Sequence, residues 1–135
     1  MTEILAIIPA RGGSKGIPKK NIRMVDGHPL ISYSIQAALE SKIINRIICS
    51  TDSKNIGNIA QKYGAEVPFL RPLELAQDNT SDLETFYWLL TELKDRENYN
   101  PEIIVQLRPT SPIRLRGQID EAIDLIINNQ VVDSV

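Results

Sequence analysis

Ile4-Leu5-Ala6-Ile7-Ile8-Pro9-Ala10-Arg11-Gly12-Gly13-Ser14-Lys15-Gly16-Ile17-Pro18-Lys19-Lys20-Asn21-Ile22 decides how this chain folds. Its first five residues form an unbroken apolar run, which reads as a buried strand over Ile4–Pro9. The strand runs into a loop carrying Arg11, Lys15, Lys19 and Lys20, with no acidic residue before Asp26. Gly12, Gly13 and Gly16 sit between these cations and let the backbone come close to a ligand. A strand that ends in a glycine-rich cationic loop is suited to hold a polyphosphate, because backbone N–H groups and Lys or Arg heads can converge on phosphate oxygens. A solvated basic loop is the bland alternative. The position of the loop, at the C-terminal end of a strand where open α/β sheets bind ligands, weighs against it. Known phosphate signatures do not fit. Gly16 is followed by Ile17-Pro18, not by the Lys-Ser/Thr of a P-loop, and Gly12-Gly13-Ser14-Lys15-Gly16 has the wrong register for Gly-x-Gly-x-x-Gly.

Working outward, strands and helices alternate. A helix is expected over 29–42 with Leu30, Ile31, Ile35, Ala38 and Leu39 on one face. Next come a strand over 45–51 ending at Asp52, and a helix over 53–63 stopped by Gly64 at its C′ position. A short strand over 66–70 precedes a long helix from Ser81 to about Arg96, capped by Asn79, Thr80 or Ser81. The series continues with a strand over 102–107 and a helix over 117–129 with Ile119, Ala122, Ile123, Ile126 and Ile127 inward. Val131-Val132 begins another strand. This βαβ alternation predicts an α/β fold: a Rossmann-like, mostly parallel sheet covered by helices on both faces.

The 135 residues are expected to form one domain, 1–135, with no linker or repeat. The chain stops inside a predicted strand, so the C-terminal part of the fold is expected to be missing. The net charge of −2 argues against a general nucleic-acid binder and makes the basic cluster at 11–23 stand out. Cys49 is the only cysteine; lying in an apolar run, it reads as an inert buried thiol. Glu3 and the shortness of the first apolar run argue against a secretory leader, and no stretch approaches a membrane span. A cytoplasmic location is the expectation.

Other loops reach the same sheet edge. Arg108-Pro109-Thr110-Ser111-Pro112-Ile113-Arg114 comes after the fourth strand, and its prolines hold hydroxyl and guanidinium groups in a rigid turn. It reads either as a plain β-to-α turn or as part of a ligand site. Arg71, after the third strand, is placed to reach the crevice and read a base edge or a phosphate; the alternative is a surface ion pair with Glu74. Asp52 reads equally as a cap for the next helix and as a ligand group. His28 reads as a helix-entry residue, and Phe86, Tyr87 and Trp88 as core or interface. No His/Cys metal cluster is evident.

These motifs closely resemble the acylneuraminate cytidylyltransferase family, the CMP-sialic acid synthetases. The matching stretches are Ile7–Ile22, Ser50-Thr51-Asp52, Arg71-Pro72 with Leu75-Ala76, and Pro109-Thr110-Ser111-Pro112. The resemblance implies the fold of nucleotide-diphospho-sugar transferases. It also implies transfer of CMP from CTP to a nonulosonic acid such as sialic or legionaminic acid, with release of pyrophosphate. Carried over, Arg11 and Lys20 are the catalytic cations, and CTP is bound by Ala10, Arg11, Gly12, Gly13, Ser14, Lys15, Asn21 and Arg71, the last at the cytosine. Arg108, Thr110 and Ser111 border the sugar side. Where the family often has Gln before Pro-Thr-Ser-Pro this chain has Arg108, a cation suited to an acceptor carboxylate or to a nearby acid. The family further implies Mg²⁺, with ligands in a part beyond this chain, and a homodimer. A same-fold enzyme using another nucleotide or an eight-carbon acid, and a non-catalytic nucleotide-binding fragment, are the competing readings.

Overall fold

Strand β1 (Ile4–Pro9) lies at the centre of a parallel sheet in the computed structural model, which describes residues 2–12, 20–77, 79–109 and 118–128. Strand β2 (Met24–Val25) pairs with β3 (His28–Pro29) in a small antiparallel hairpin that leads into helix α1 (Leu30–Leu39). Strand β4 (Arg46–Ser50), helix α2 (Lys54–Tyr63), helix α3 (Asp82–Glu97), strand β5 (Ile103–Gln106) and helix α4 (Gln118–Asn128) complete the series. The sheet order is β4-β1-β5, in register through Ile7↔Ile48 on one side and Ile7↔Gln106 on the other.

The side chains of β1 alternate between two cores. Ala6 and Ile8 pack with Cys49 beneath α1 and α2, through Ile31, Ile35, Ala38, Ile56 and Ala60, and Ile119 of α4 joins that face. Leu5 and Ile7 pack with Ile48 against Leu89 and Leu93 of α3 on the opposite face. The expected α/β architecture, with helices on both faces of a parallel sheet, is therefore present. Phe86 and Trp88 border the second core, while Tyr87 is 66% exposed.

The helix ends obey local rules. Ser53 caps α2 by accepting from the Ile56 N–H, so the cap falls on the residue after Asp52. Gly64 ends α2 in the left-handed region at φ 113°, as its position predicts. Ser81 caps α3 through the Glu84 N–H. Helix α1 stops at Leu39, short of residue 42. There the Ser41 hydroxyl accepts from the Ile43 and Ile44 N–H groups and donates to Asp120 of α4, a contact that local periodicity cannot report.

Other expectations are corrected. The strand anticipated over 66–70 is a single parallel bridge, Ile48↔Glu66, because Pro68 has no N–H to continue the ladder. Leu39 and Ile127 are 48% and 42% exposed, not inward. The β2–β3 hairpin has no counterpart among the expected elements, although Asp26-Gly27, with φ of 50° and 84°, is its turn signal. The strand expected from Val131 lies outside the described residues.

Cys49 has no exposed surface, and burial pushes its thiol up to about 12. The folded chain thus holds this proton where the unfolded chain releases it, so this group's contribution to stability falls as pH rises above the ordinary thiol range. Native chain at pH 8 should resist labelling by a thiol-reactive disulfide reagent and label fully in denaturant. Rapid native labelling would contradict the burial.

Candidate functional site

The chain runs from β1 to β4 on one side of the sheet and to β5 on the other. The crevice between the C-terminal ends of β1 and β5 is therefore a topological switch point, where open α/β sheets bind ligands. Ala10, buried, extends β1 by donating its N–H to the Ser50 carbonyl at 2.9 Å. Arg11 and Gly12 emerge on the β4 side of β1, beside the turn after β4.

A single peptide unit, Arg11–Gly12, is held at both ends. Its N–H, on Gly12, donates to Asp52 Oδ1 at 2.7 Å. Its carbonyl, on Arg11, accepts from Asn21 Nδ2 at 3.0 Å, with Asn21 buried. Asn21 lies in a short 3₁₀ segment, Lys20–Ile22, and so ties the far end of the glycine loop back to its start. Asp52 accepts an N–H from outside its own helix instead of capping α2. That role leaves no local trace, because the partners stand 40 positions apart.

Arg71 is buried, not paired on the surface with Glu74. Its Nη2 donates to the Ser50 carbonyl at 2.7 Å and its Nη1 to the Leu75 carbonyl at 3.2 Å. Nε has no hydrogen-bond partner among the described residues. Burial pushes the guanidinium below its ordinary value. The negative field of Asp52 opposes this most strongly, with smaller help from Cys49 and Asp82, while Arg11 adds to the lowering. An arginine still stays charged at neutral pH.

Arg108 forms an ion pair with Asp82, the first residue of α3, and Asp82 also accepts from Gln106 Nε2 at 2.9 Å. The nearby acid that the sequence left open is therefore Asp82. Acidic and basic groups alternate here: Arg108 pairs with Asp82, and Asp82 and Asp52 both act on Arg71. Among the sequence-derived candidates, the structure gathers Ala10, Arg11, Gly12, Asn21 and Arg71 around the ends of β1 and β4, with Arg108 at the end of β5. Gly13, Ser14, Lys15, Thr110 and Ser111 lie outside the described residues, as does the side chain of Lys20. Among the described residues no group of three or more His, Cys, Asp or Glu side chains is arranged to hold a metal ion, so these residues do not by themselves fit a Mg²⁺ cage.

Gly12 is closely packed. A Cβ there would sit 3.1 Å from Ser53 Cβ, on the rigid cap of α2. Gly12→Ala should destabilise the chain by about 1–3 kcal/mol through overpacking, read as a lower urea midpoint; an unchanged midpoint would show that the turn gives way freely.

Comparison with known proteins agrees with this fold. The cytidylyltransferase family profile matches residues 5–135. The CMP-N,N'-diacetyllegionaminic acid synthase of Legionella pneumophila is 43% identical over 122 residues, covering 90% of this chain and 52% of that protein. The N-acylneuraminate cytidylyltransferase of Escherichia coli is 44% identical, covering 92% of this chain and 28% of its own length. The pseudaminic acid cytidylyltransferase of Campylobacter jejuni is 40% identical, with 93% and 54% covered. The solved structure of a CMP:2-keto-3-deoxy-manno-octonic acid synthetase complexed with CTP superposes with a TM-score of 0.81 at 17% identity, covering 97% of this chain and 50% of that one, and shares the fold. The chain spans about half the length, or less, of these relatives. With a family match over nearly all of its length, the chain belongs to the cytidylyltransferase family.

Proposed function

We propose that this chain carries the nucleotide-binding part of a cytidylyltransferase that moves CMP from CTP to a nonulosonic acid and releases pyrophosphate. The observation that carries this reading is the gathering of Arg11, Asn21 and Arg71 around the C-terminal ends of β1 and β4, where the loop whose sequence carries the family resemblance begins. Relatives named for legionaminic, neuraminic and pseudaminic acids support the acceptor class.

In this reaction a hydroxyl of the sugar acid attacks the α-phosphate of CTP and pyrophosphate leaves in line. Positioning and charge neutralisation supply most of the rate in such transfers. Arg11 and Lys20 offset charge on the α-phosphate and the leaving group. Ser14, Lys15 and the loop amides beyond Gly12 cradle the triphosphate, since the Gly12 N–H is already held by Asp52. Arg71 lies on the base side. Arg108, oriented by Asp82, faces the acceptor side with Thr110 and Ser111. Mg²⁺ belongs to the same proposal as a charge-neutralising partner of the phosphates, and no step is assigned to it on these residues. A homodimer and a cytoplasmic location complete the reading; among the described residues no helix is long and apolar enough to cross a membrane.

Calorimetric titration with CTP, UTP, ATP and GTP in the presence of Mg²⁺ tests the nucleotide reading. Selective CTP binding is expected, and equal binding of all, or of none, would contradict it. In the complete enzyme Arg11→Ala should lower kcat by at least about 100-fold, the loss typical of removing one charge-stabilising donor. Pyrophosphate release within tenfold of wild type would remove Arg11 from the catalytic role. Arg71→Ala should narrow the preference for CTP over UTP, and unchanged base selectivity would count against its place at the cytosine.

A further inference from the structure

A carboxylate at the mouth of a phosphate loop is out of place on electrostatic grounds, since it repels the anion that the loop is meant to hold. Asp52 nevertheless sits there, 2.7 Å from the Gly12 N–H. It stands on a stiff support. Thr51 before it is fully buried, the Ser53 N–H after it donates to Thr51 Oγ1 at 3.1 Å, and Ser53 itself caps α2. Gly12 is pressed against this same turn, where a Cβ would lie 3.1 Å from Ser53 Cβ.

Asn21 grips the other end of the same peptide unit through the Arg11 carbonyl. With its N–H and its C=O both taken, the plane of the Arg11–Gly12 peptide cannot rotate without breaking a hydrogen bond. That plane sets the direction in which Arg11 leaves β1 and in which the glycine loop begins. Arg71 lies within electrostatic reach of Asp52 and offsets the carboxylate's charge.

We infer that Asp52 is a positioning residue: it clasps the Arg11–Gly12 peptide so that the loop and Arg11 are pre-set for the triphosphate. The inference rests on the nucleotide reading above. Pre-setting lowers the ordering cost of binding, so loss of the clasp weakens CTP affinity first. The contribution lies in the acceptor oxygen, not in the charge. Asp52→Asn keeps that oxygen and Asp52→Ala removes it.

Two measurements on the chain decide this. Amide hydrogen exchange at Gly12, followed by NMR without nucleotide, should be at least tenfold faster in Asp52→Ala and close to wild type in Asp52→Asn. Calorimetric CTP affinity should fall at least tenfold in Asp52→Ala and stay within about threefold in Asp52→Asn, because a charge-assisted hydrogen bond is replaced by a neutral one while phosphate repulsion is relieved. If Asp52→Asn loses as much affinity as Asp52→Ala, the charge itself is what matters and the clasp is overturned. Unchanged exchange and affinity in Asp52→Ala overturn it as well. If wild-type chain binds no nucleotide, the functional reading fails and the role for CTP with it, whereas the exchange rates still report whether Asp52 holds the peptide. Circular dichroism of both variants separates these effects from unfolding.

Discussion

Strand β1 is hydrogen-bonded to parallel neighbours on both sides, and Leu5, Ala6, Ile7 and Ile8 retain no exposed surface on either face. Each fully buried Leu or Ile contributes about 1.5–3 kcal/mol relative to an exposed one. A strand locked in four directions has little freedom in where it ends. Its C-terminus therefore delivers Ala10, Arg11 and Gly12 to a fixed place in the fold, and the neighbouring ends of β4 and β5 are in register with it. The candidate site inherits its geometry from this strand.

Around that fixed point the sheet edge is organised by backbone carbonyls as much as by charge. The Ser50 carbonyl accepts from both the Ala10 N–H and Arg71 Nη2, so the end of β1 and the guanidinium share one acceptor. Arg71 is thereby a buried cation held by neutral carbonyls, with Asp52 and Asp82 supplying the compensating field. Burying a guanidinium is costly unless it is hydrogen-bonded and near opposite charge; here both terminal nitrogens are bonded and Asp52 and Asp82 lie near, while Nε has no partner among the described residues. The same two carboxylates reach in opposite directions, Asp52 to Gly12 and Asp82 to Arg108. The edge is thus a chain of alternating charges, with side chains from separate loops fixed relative to one another.

Much of this was legible in the order of residues. The apolar run of β1, the glycine stop at Gly64 and the buried Cys49 all come from rules that act within a few residues, and the structure agrees with each; of the three residues offered as the α3 cap, it selects Ser81. The basic loop after β1 and the loops around Arg71 and Arg108 fall on one edge because parallel strands must place their C-termini together. Errors arose where a local pattern was overridden. Pro68 reduced a predicted strand to one bridge, and a contact from Asp120 to Ser41 marks where α1 ends. Leu39 matched the apolar period of α1 but lies at the end of the helix, half-exposed over Gly64.

By itself the sequence determined the α/β alternation, the placement of a glycine-rich basic loop after β1 and the family resemblance, because periodicity, glycine placement and motif spacing are properties of neighbouring residues. Tertiary structure alone decided what Asp52, Asn21, Arg71 and Asp82 do. Asp52 and Gly12 stand 40 residues apart, and Arg108 and Asp82 stand 26 apart. Whether such groups meet depends on how helices and strands pack, and hydrogen bonds act only over the last few ångströms, once packing has brought the partners together.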